Sequence, residues 1–318
     1  MSSILTNAAA LGALSTLRSI DTNLSQTQSR ISSGLAVGQA ADNAAYWSIA
    51  TTMKSDNMAL ATVQDALGLA SAKVDTAYAG LERTLNILNA IKGKLVTAQE
   101  NGVDRTKINR EISELKNQLN TTAQSSSFSS ENWLYNSTTG AMVARNMVGG
   151  FTRSSGNSIA IQTITFDAAT SVILDKGDAN RGILTKGIGV NTAAGTSTTF
   201  FLMNISSTTN ATNGTEAIVY ATSTTDSISG MQAAVEVMIG EVTNAAGTLG
   251  AVKSRIDTQG AFVKDLADTF TKGIGRLIDA DMNEESTKLK ALQTQQQLAI
   301  QALTIANSSA QNVMQLFR

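Results

Sequence analysis

An unbroken apolar repeat in the first third of the chain constrains its fold more than any other feature. From Leu60 to Leu95, apolar or small residues recur at alternating steps of three and four positions through five heptads. Such a repeat predicts one helix about 54 Å long with a single packed face. The chain has no proline, so long helices meet no such interruption. The positions are Leu60, Val63, Leu67, Ala70, Val74, Ala77, Leu81, Thr84, Leu88, Ile91 and Leu95.

Segments near both chain ends show the same period. One repeat runs from Leu17 to Ile31, and another follows Asp104, which we expect to cap a helix. After a long interruption, helical periodicity covers Ile228 to Met238, resumes from Leu249 to Leu277, and ends with Leu289 to Phe317. The sequence therefore predicts a mainly α protein with long antiparallel coiled-coil helices from both chain ends.

The middle of the chain has a different composition. From about residue 125 it is rich in Ser, Thr, Gly and Asn, with short β-prone pieces such as "SIAIQTITF", "ATSVIL", "STTFFLM" and "EAIVYA". These pieces predict a small β-rich domain inserted between the helical thirds.

The composition of the chain excludes most kinds of catalytic and metal-binding site. The chain has no Cys and no His, which excludes thiol nucleophiles, zinc fingers and the Ser-His-Asp triad. A net charge of -1 indicates no binding to nucleic acid. We therefore expect no enzyme, no cofactor and no metal site. The motif "GDANRG" lacks the glutamate of an EF-hand, since Lys186 stands at the twelfth position from Asp175. An enzyme with carboxylate or serine chemistry in the middle domain is the alternative from another functional class.

The last helix is the most informative segment. It has no charge between Lys290 and Arg318 but many amide side chains. A membrane span is disfavoured because each amide would need a partner in hydrocarbon. We expect this helix to be surrounded by protein; an ordinary intramolecular coiled coil is the alternative. The first residues, "MSSILTNAAALGALSTLR", do not look like a cleavable secretory signal, so we expect either a cytoplasmic protein or another export route.

Several motifs resemble bacterial flagellin, of the compact alphaproteobacterial type. "RISSGLAVGQAADNAA", from Arg30 to Ala45, is similar to the segment after the family's first helix. "SRIDTQ", "IDADMNEESTKL" and "ANSSAQNVMQLFR" are similar to its closing segments in order and spacing. The resemblance covers roughly the first 125 and the last 90 residues.

The resemblance implies an arrangement of domains that spacing alone does not. Terminal helices would line an inner tube, a rod-like domain would surround them, and the middle would face solvent. The implied segments are an N-terminal inner-core helix (1–33), a spoke (34–46), the N-terminal part of the rod with a β-hairpin (47–149), a variable β-rich outer domain (150–225), the C-terminal part of the rod (226–283) and a C-terminal inner-core helix (284–318).

The implied function is that of a structural subunit that self-assembles into the helical flagellar filament, the propeller for swimming. A hook-filament junction protein of the flagellum is the alternative. The implied partners are further copies of the chain, other flagellins as an open alternative, an export chaperone, and hook-associated and cap proteins. Neither nucleic acid nor membrane insertion is expected, and the implied location is secreted and extracellular, in the filament.

Candidate interface residues come from the terminal heptads and the implied spoke. Gly34 and Gly38 are expected to free the backbone, and the neighbouring alanines to permit close approach of subunits. The predicted subunit-interface residues are Leu17, Leu24, Arg30, Ile31, Gly34, Asp42, Leu292, Leu303, Val313 and Phe317.

Overall fold

The chain divides into two units by its internal contacts. The computed structural model describes residues 7–154, 158–192, 195–206 and 214–315, with side chains as far as Ser308. Unit 1 comprises Met1–Ala59 and Leu266–Arg318, and unit 2 comprises Leu60–Asp265. Long helices from both chain ends and a small central β-rich region confirm the predicted fold class. The helices are α1 (Ala8–Ser33), α2 (Ala44–Gln99), α3 (Arg105–Ser125), α4 (Thr225–Ile278) and α5 (Met282–Gln315).

The repeat in α2 forms the main buried stripe of unit 2. All eleven of its positions from Leu60 to Leu95 are buried. Even Thr84 is fully buried, because its hydroxyl donates to the carbonyl oxygen of Gly80 at 2.8 Å and so leaves no unpaired donor. The five-heptad prediction is confirmed at every position.

Helix α4 joins two segments that the sequence pattern separates. The predicted runs end at Met238 and restart at Leu249, but the helix is continuous across them. Val242 and Ala245, both buried, carry the three- and four-residue steps across the gap. The polar and small neighbours in "TNAAGT" lie on the other positions and obscure the register in the sequence.

Helix α3 starts where the sequence predicts. The carboxylate of Asp104 accepts hydrogen bonds from the backbone N–H groups of Thr106, at 3.0 Å, and Lys107, at 3.3 Å. These bonds, first of all the one from Lys107, hold the pKa of Asp104 below its ordinary value because they favour the charged form. Ile108, Ile112 and Leu119 form the buried face of this helix.

The central region consists of short strands rather than one sheet. The strands β1 and β2 pair antiparallel, β3 and β6 parallel, and β4 and β5 antiparallel with an irregularity between Val148 and Gly150; β7, β8 and β9 form a three-stranded sheet. Their bounds are β1 Ser127–Phe128, β2 Glu131–Asn132, β3 Tyr135–Asn136, β4 Arg145–Arg153, β5 Ile159–Phe166, β6 Leu174–Asp175, β7 Ile188–Asn191, β8 Ser197–Phe201 and β9 Thr215–Glu216.

Two of the β-prone pieces differ from expectation. Most of "ATSVIL" lies in or beside a 3-10 helix, Ala168–Ser171, because the side chain of Asp167 accepts from the N–H of Ala169 and starts a turn. Only the first residue of "EAIVYA" lies in a strand. The predicted domain border between residues 149 and 150 falls within β4, and the domain borders themselves remain a prediction.

Unit 2 contains the well-packed core. Trp133 is buried and stacks on Phe166 with 5.2 Å between ring centroids. The largest fully buried side chains of the described residues all belong to this unit: Leu60, Leu81, Leu88, Ile91, Leu95, Ile112, Leu119, Leu134, Ile173, Leu174, Leu184 and Leu202.

Candidate functional site

The two terminal helices, α1 and α5, pack against each other in antiparallel register. Side-chain hydrogen bonds fix this register at three levels. Asn7 Nδ2 donates to the carbonyl oxygen of Ala306 at 2.9 Å, and Gln296 Nε2 donates to Asp21 Oδ1 at 2.7 Å. Near the other end of the pair, Arg30 Nη1 donates to Glu285 Oε1 at 3.1 Å.

The predicted interface residues lie at different depths in this pair. Leu17, Leu24 and Ile31 of α1 are half-buried, while Ile20 and Thr27 between them are buried. On α5, Leu292 is buried and Leu303 is half-buried. Val313 lies in α5 beyond the last described side chain, and Phe317 lies outside the described residues. Their interface role stays a prediction.

Much of the apolar surface of the pair is not covered within the chain. Four large apolar side chains are at least half exposed: Leu11 on α1, and Leu298, Ile300 and Ile305 on α5. Between Ala291 and Phe317 the sequence contains no charged residue, so the exposed side of α5 from Ala291 to Ser308 is made of apolar, amide and hydroxyl groups. A helix with little charge on its outer face is typical of burial against other protein.

The ion pair between Arg30 and Glu285 is only partly satisfied. The Glu285 side chain is nearly buried, and that of Arg30 is about one-quarter exposed. Beyond the single 3.1 Å bond, Arg30 Nε and Glu285 Oε2 are buried and have no hydrogen-bond partner among the described residues. Removing Arg30 would leave the nearly buried Glu285 carboxylate without its charged partner, which is destabilising.

The segment after α1 forms a short bridge to the α4–α5 connection. Gly34 ends α1 with φ at +73°, a conformation that favours glycine, and its N–H donates to the carbonyl oxygen of Arg30. Ala36 N–H then donates to the Ile278 carbonyl oxygen at 2.7 Å, and Ala280 N–H donates back to that of Gly34 at 2.9 Å. These bonds enclose a single antiparallel bridge between Leu35 and Asp279.

Asp42 organises the turn that leads into α2. Its Oδ2 accepts from the backbone N–H groups of Gly38, at 3.0 Å, and Gln39, at 3.1 Å. Gly38 does not have a positive φ, so the expectation that it frees the backbone is wrong. An ordinary conformation suffices there because the Asp42 side chain, and not a left-handed residue, turns the chain.

An apolar cluster lies beneath this bridge. Ala50, Ile274 and Ile278 are buried together, and Leu35, Val37, Met53 and Leu277 pack against them. The sequence pattern did not reveal this cluster, nor Glu285 as the partner of Arg30. In both cases the two segments that meet are more than 200 residues apart in the sequence, and no local period signals such a contact.

The loop at "GDANRG" is held together by hydrogen bonds within the chain. Two residues before "GDANRG", Asp175 is buried and its oxygens accept from Gly177 N–H, Asp178 N–H and Asn136 Nδ2. These bonds, together with Arg181 Nε at 3.5 Å from Asp175 Oδ2, organise the loop. Among the described residues, no helix is both long and apolar enough to cross a membrane.

Comparison with known proteins connects these features. The N-terminal helical region of bacterial flagellin matches residues 4–139, and its C-terminal helical region matches residues 232–317. Flagellin C and Flagellin A of Rhizobium meliloti (strain 1021) are 50% and 43% identical to this chain over 322 and 395 aligned residues. A flagellin of Brucella melitensis biotype 1 is 42% identical over 323 residues. Each alignment covers 100% of both chains.

The two family regions together include the helical segments that form unit 1. The alignments with the relatives extend through the middle of the chain as well. None of these three relatives is named a junction protein. The family is one of structural proteins rather than enzymes. The chain belongs to the bacterial flagellins, as a structural subunit of the flagellar filament.

Proposed function

We propose that unit 1 provides the contacts that hold neighbouring subunits together in the filament. The observation that carries this proposal is the exposed apolar surface of the α1 and α5 pair, together with the absence of charged residues in α5 from Ala291 onward. Burying apolar surface drives association, and a surface of amides and alkyl groups adds no charge repulsion between identical copies. The interface residues are Leu17, Leu24, Arg30, Ile31, Gly34, Asp42, Leu292, Leu303, Val313 and Phe317.

Each part of unit 1 has a distinct role in this proposal. The heptad residues of α1 and α5 form the inner seam, and the segment 34–46 is the spoke that joins the inner tube to the rod. Arg30 and Gly34 fix the direction in which the chain leaves α1, through the pair with Glu285 and the left-handed cap. Asp42 holds the turn before α2.

Outside unit 1, residues 150–225 form the outer layer of the filament.

The same surface suggests what binds the subunit before assembly. The exposed leucine and isoleucine side chains of α1 and α5 would self-associate prematurely if left uncovered. An export chaperone that covers α5 prevents this until the subunit leaves through the flagellar export channel. Hook-associated and cap proteins contact the filament ends, and the assembled subunit lies outside the cell.

A charge in the inner seam tests the proposal. Leu303→Asp would place a carboxylate among packed helices, at a cost of several kcal/mol. We expect this variant to form no filaments in seeded polymerisation viewed by electron microscopy, while the near-ultraviolet circular dichroism of unit 2 is unchanged.

The matched control is Val143→Asp, an exposed apolar residue between β3 and β4 in unit 2. This variant should polymerise like the unmodified chain. Normal filaments from Leu303→Asp would contradict the proposal. Loss of filaments in both variants would show that the effect is not specific to the seam.

A further inference from the structure

The connection between α2 and α3 contains an asparagine followed directly by a glycine. Helix α2 ends at Gln99 and α3 begins at Arg105, and Asn101 and Gly102 lie exposed between them. The chain has one other Asn-Gly pair, at 213–214, and its asparagine lies outside the described residues. Asparagine is one of the thermolabile residues of proteins. It reacts most readily before glycine, because a glycine has no side chain to hinder attack by its backbone nitrogen.

The backbone of this connection leaves the reacting atoms accessible. Gly102 has φ at +88°, and a Cβ built there would meet no atom within 4 Å beyond its chain neighbours. Within residues 7–154, a range that the structure describes without a gap, neither the Asn101 side chain nor the Gly102 N–H forms a hydrogen bond. No bond therefore holds the carboxamide of Asn101 away from the backbone nitrogen of Gly102.

The bonds that hold this connection are made at its ends. Arg105 Nε donates to the carbonyl oxygen of Ala98 at 3.0 Å, and Arg105 Nη1 donates to that of Ser223 at 2.7 Å. Asp104 accepts from the first N–H groups of α3. These contacts fix where α2 ends and α3 begins, and they leave the main chain at 101–102 free to rotate.

Asn136, which precedes Ser137, shows the opposite situation. It is 4% exposed, and its Nδ2 donates to the Gly140 carbonyl oxygen at 2.7 Å and to Asp175 Oδ2 at 2.9 Å. Its Oδ1 accepts from the N–H of Thr138 at 3.1 Å. Both ends of this carboxamide are bonded, so it cannot turn toward the next backbone nitrogen without breaking buried hydrogen bonds.

We propose that Asn101 is a site of spontaneous deamidation. The backbone nitrogen of Gly102 attacks Asn101 Cγ, and a new C–N bond closes a five-membered succinimide ring. The bond from Cγ to Nδ2 breaks, and Nδ2 leaves as ammonia with the proton that the Gly102 nitrogen has lost. One water molecule then opens the ring at either carbonyl carbon and gives aspartate or isoaspartate. The balance is one water consumed and one ammonia released, with no oxidation or reduction.

Both products change the connection between the helices. Each adds a carboxylate next to Glu100, which makes the formal net charge of the chain one unit more negative than -1. Isoaspartate also carries the main chain through its Cβ, so the connection between the bonds at Ala98 and Arg105 becomes longer by one methylene. The site lies in unit 2 and does not depend on the contacts proposed for unit 1.

Peptide mapping of aged free subunits tests the proposal. The tryptic peptide 95–105 contains Asn101 as its only asparagine, so a mass increase that fragmentation assigns to this position identifies the reaction. We expect isoaspartate to accumulate at position 101 in excess over aspartate, and faster as pH rises, because the Gly102 nitrogen must lose its proton. The control variant Asn101→Gln should form no isoaspartate in this peptide. Aspartate without isoaspartate would show direct hydrolysis of the side chain and overturn the succinimide route.

A comparison of folded and unfolded chains tests the structural argument. The same mapping is done on subunits in buffer and on subunits unfolded in guanidinium chloride. Asn101 should deamidate at rates within severalfold of each other in the two states, whereas Asn136 should react many times more slowly in the folded chain. An Asn101 that stays intact in the folded chain but reacts in the unfolded one would overturn the inference. Equal rates for Asn136 in both states would overturn the argument that hydrogen bonds and burial control the reaction.

Discussion

The two units bury their apolar residues to very different degrees. Unit 2 contains the twelve largest fully buried side chains of the described residues, whereas unit 1 buries only Ile20, Ala50, Ile274, Ile278 and Leu292 among its described apolar residues. Unit 2 therefore has the core of an independently stable domain. We expect unit 1 to depend on contacts with other copies, because a single helix pair covers too little apolar surface to offset the loss of conformational entropy.

The largest expected difference between the two units is the effect of truncating one buried leucine in each. Leu88→Ala removes a fully buried side chain from α2 and should lower the free energy of unfolding of unit 2 by about 2–5 kcal/mol. Leu292→Ala, on α5, should leave the unfolding of unit 2 unchanged and raise the critical concentration for polymerisation. Thermal unfolding of free subunits and sedimentation of filaments give the two readings. A large loss of unit 2 stability in Leu292→Ala would remove the distinction.

The ion pair of unit 1 sharpens the comparison. Arg30→Met leaves the nearly buried Glu285 carboxylate without its charged partner and should weaken the α1 and α5 pairing by about 3 kcal/mol, the low end for a broken buried pair. The double variant Arg30→Met with Glu285→Leu should recover most of that loss, since it leaves no buried charge. The urea concentration at which filaments dissociate measures the loss in the single variant and in the double variant. Equal losses in the single and double variants would show that charge compensation is not the cause.

The helices of this protein could be predicted from sequence because their signal is local. The positions from Leu60 to Leu95 repeat within one helix, and Asp104 caps the residues that follow it directly. The contacts that join distant segments have no such signal. The partner of Arg30 is 255 residues away. The bridge between the segment after α1 and the α4–α5 connection is made by backbone atoms of Ala36 and Ile278, which any residue type would supply.

The middle region shows the same limit. The sequence pattern predicts only an insertion between helices, whereas in the structure side chains of α3 form hydrogen bonds to this region and to the residues after it. Lys116 Nζ donates to the carbonyl oxygen of Ala217 at 2.8 Å, and Arg105 donates to that of Ser223 at 2.7 Å. A lysine and an arginine on a helix usually indicate a solvated face, so these contacts could not be read from the pattern.

Lys116 makes the stability of unit 2 depend on pH. Burial lowers the pKa of Lys116 below its ordinary value of 10.5, although Glu216 opposes the shift. Between the lowered pKa and 10.5 the unfolded chain binds more protons than the folded one, so this group makes unit 2 more stable as pH rises. In Lys116→Met, which keeps the packing of the stem, this rise should be absent. The free energy of unfolding of free subunits, measured at several pH values for the unmodified chain and for Lys116→Met, tests this. The same dependence on pH in both chains would contradict it.

A turn in unit 2 should allow a small gain in stability. Ser129 and Ser130 connect β1 and β2 with φ at 49° and 66°, which serine adopts at a cost in a hairpin of this kind. Ser130→Gly should raise the free energy of unfolding of unit 2 by about 0.5–1 kcal/mol. The critical concentration for polymerisation should not change, since the gain lies outside unit 1. A loss of stability would show that the serine side chain has another structural role.

Amide hydrogen exchange tests the central distinction most directly. In the free subunit we expect the core of unit 2, from Leu60 to Leu95 on α2, to be strongly protected, and the amides of α1 and α5 to exchange rapidly. In the filament, α1 and α5 should become protected as well, because neighbouring copies cover their apolar faces. Strong protection of α1 and α5 in the free subunit, equal to that of unit 2, would contradict the account.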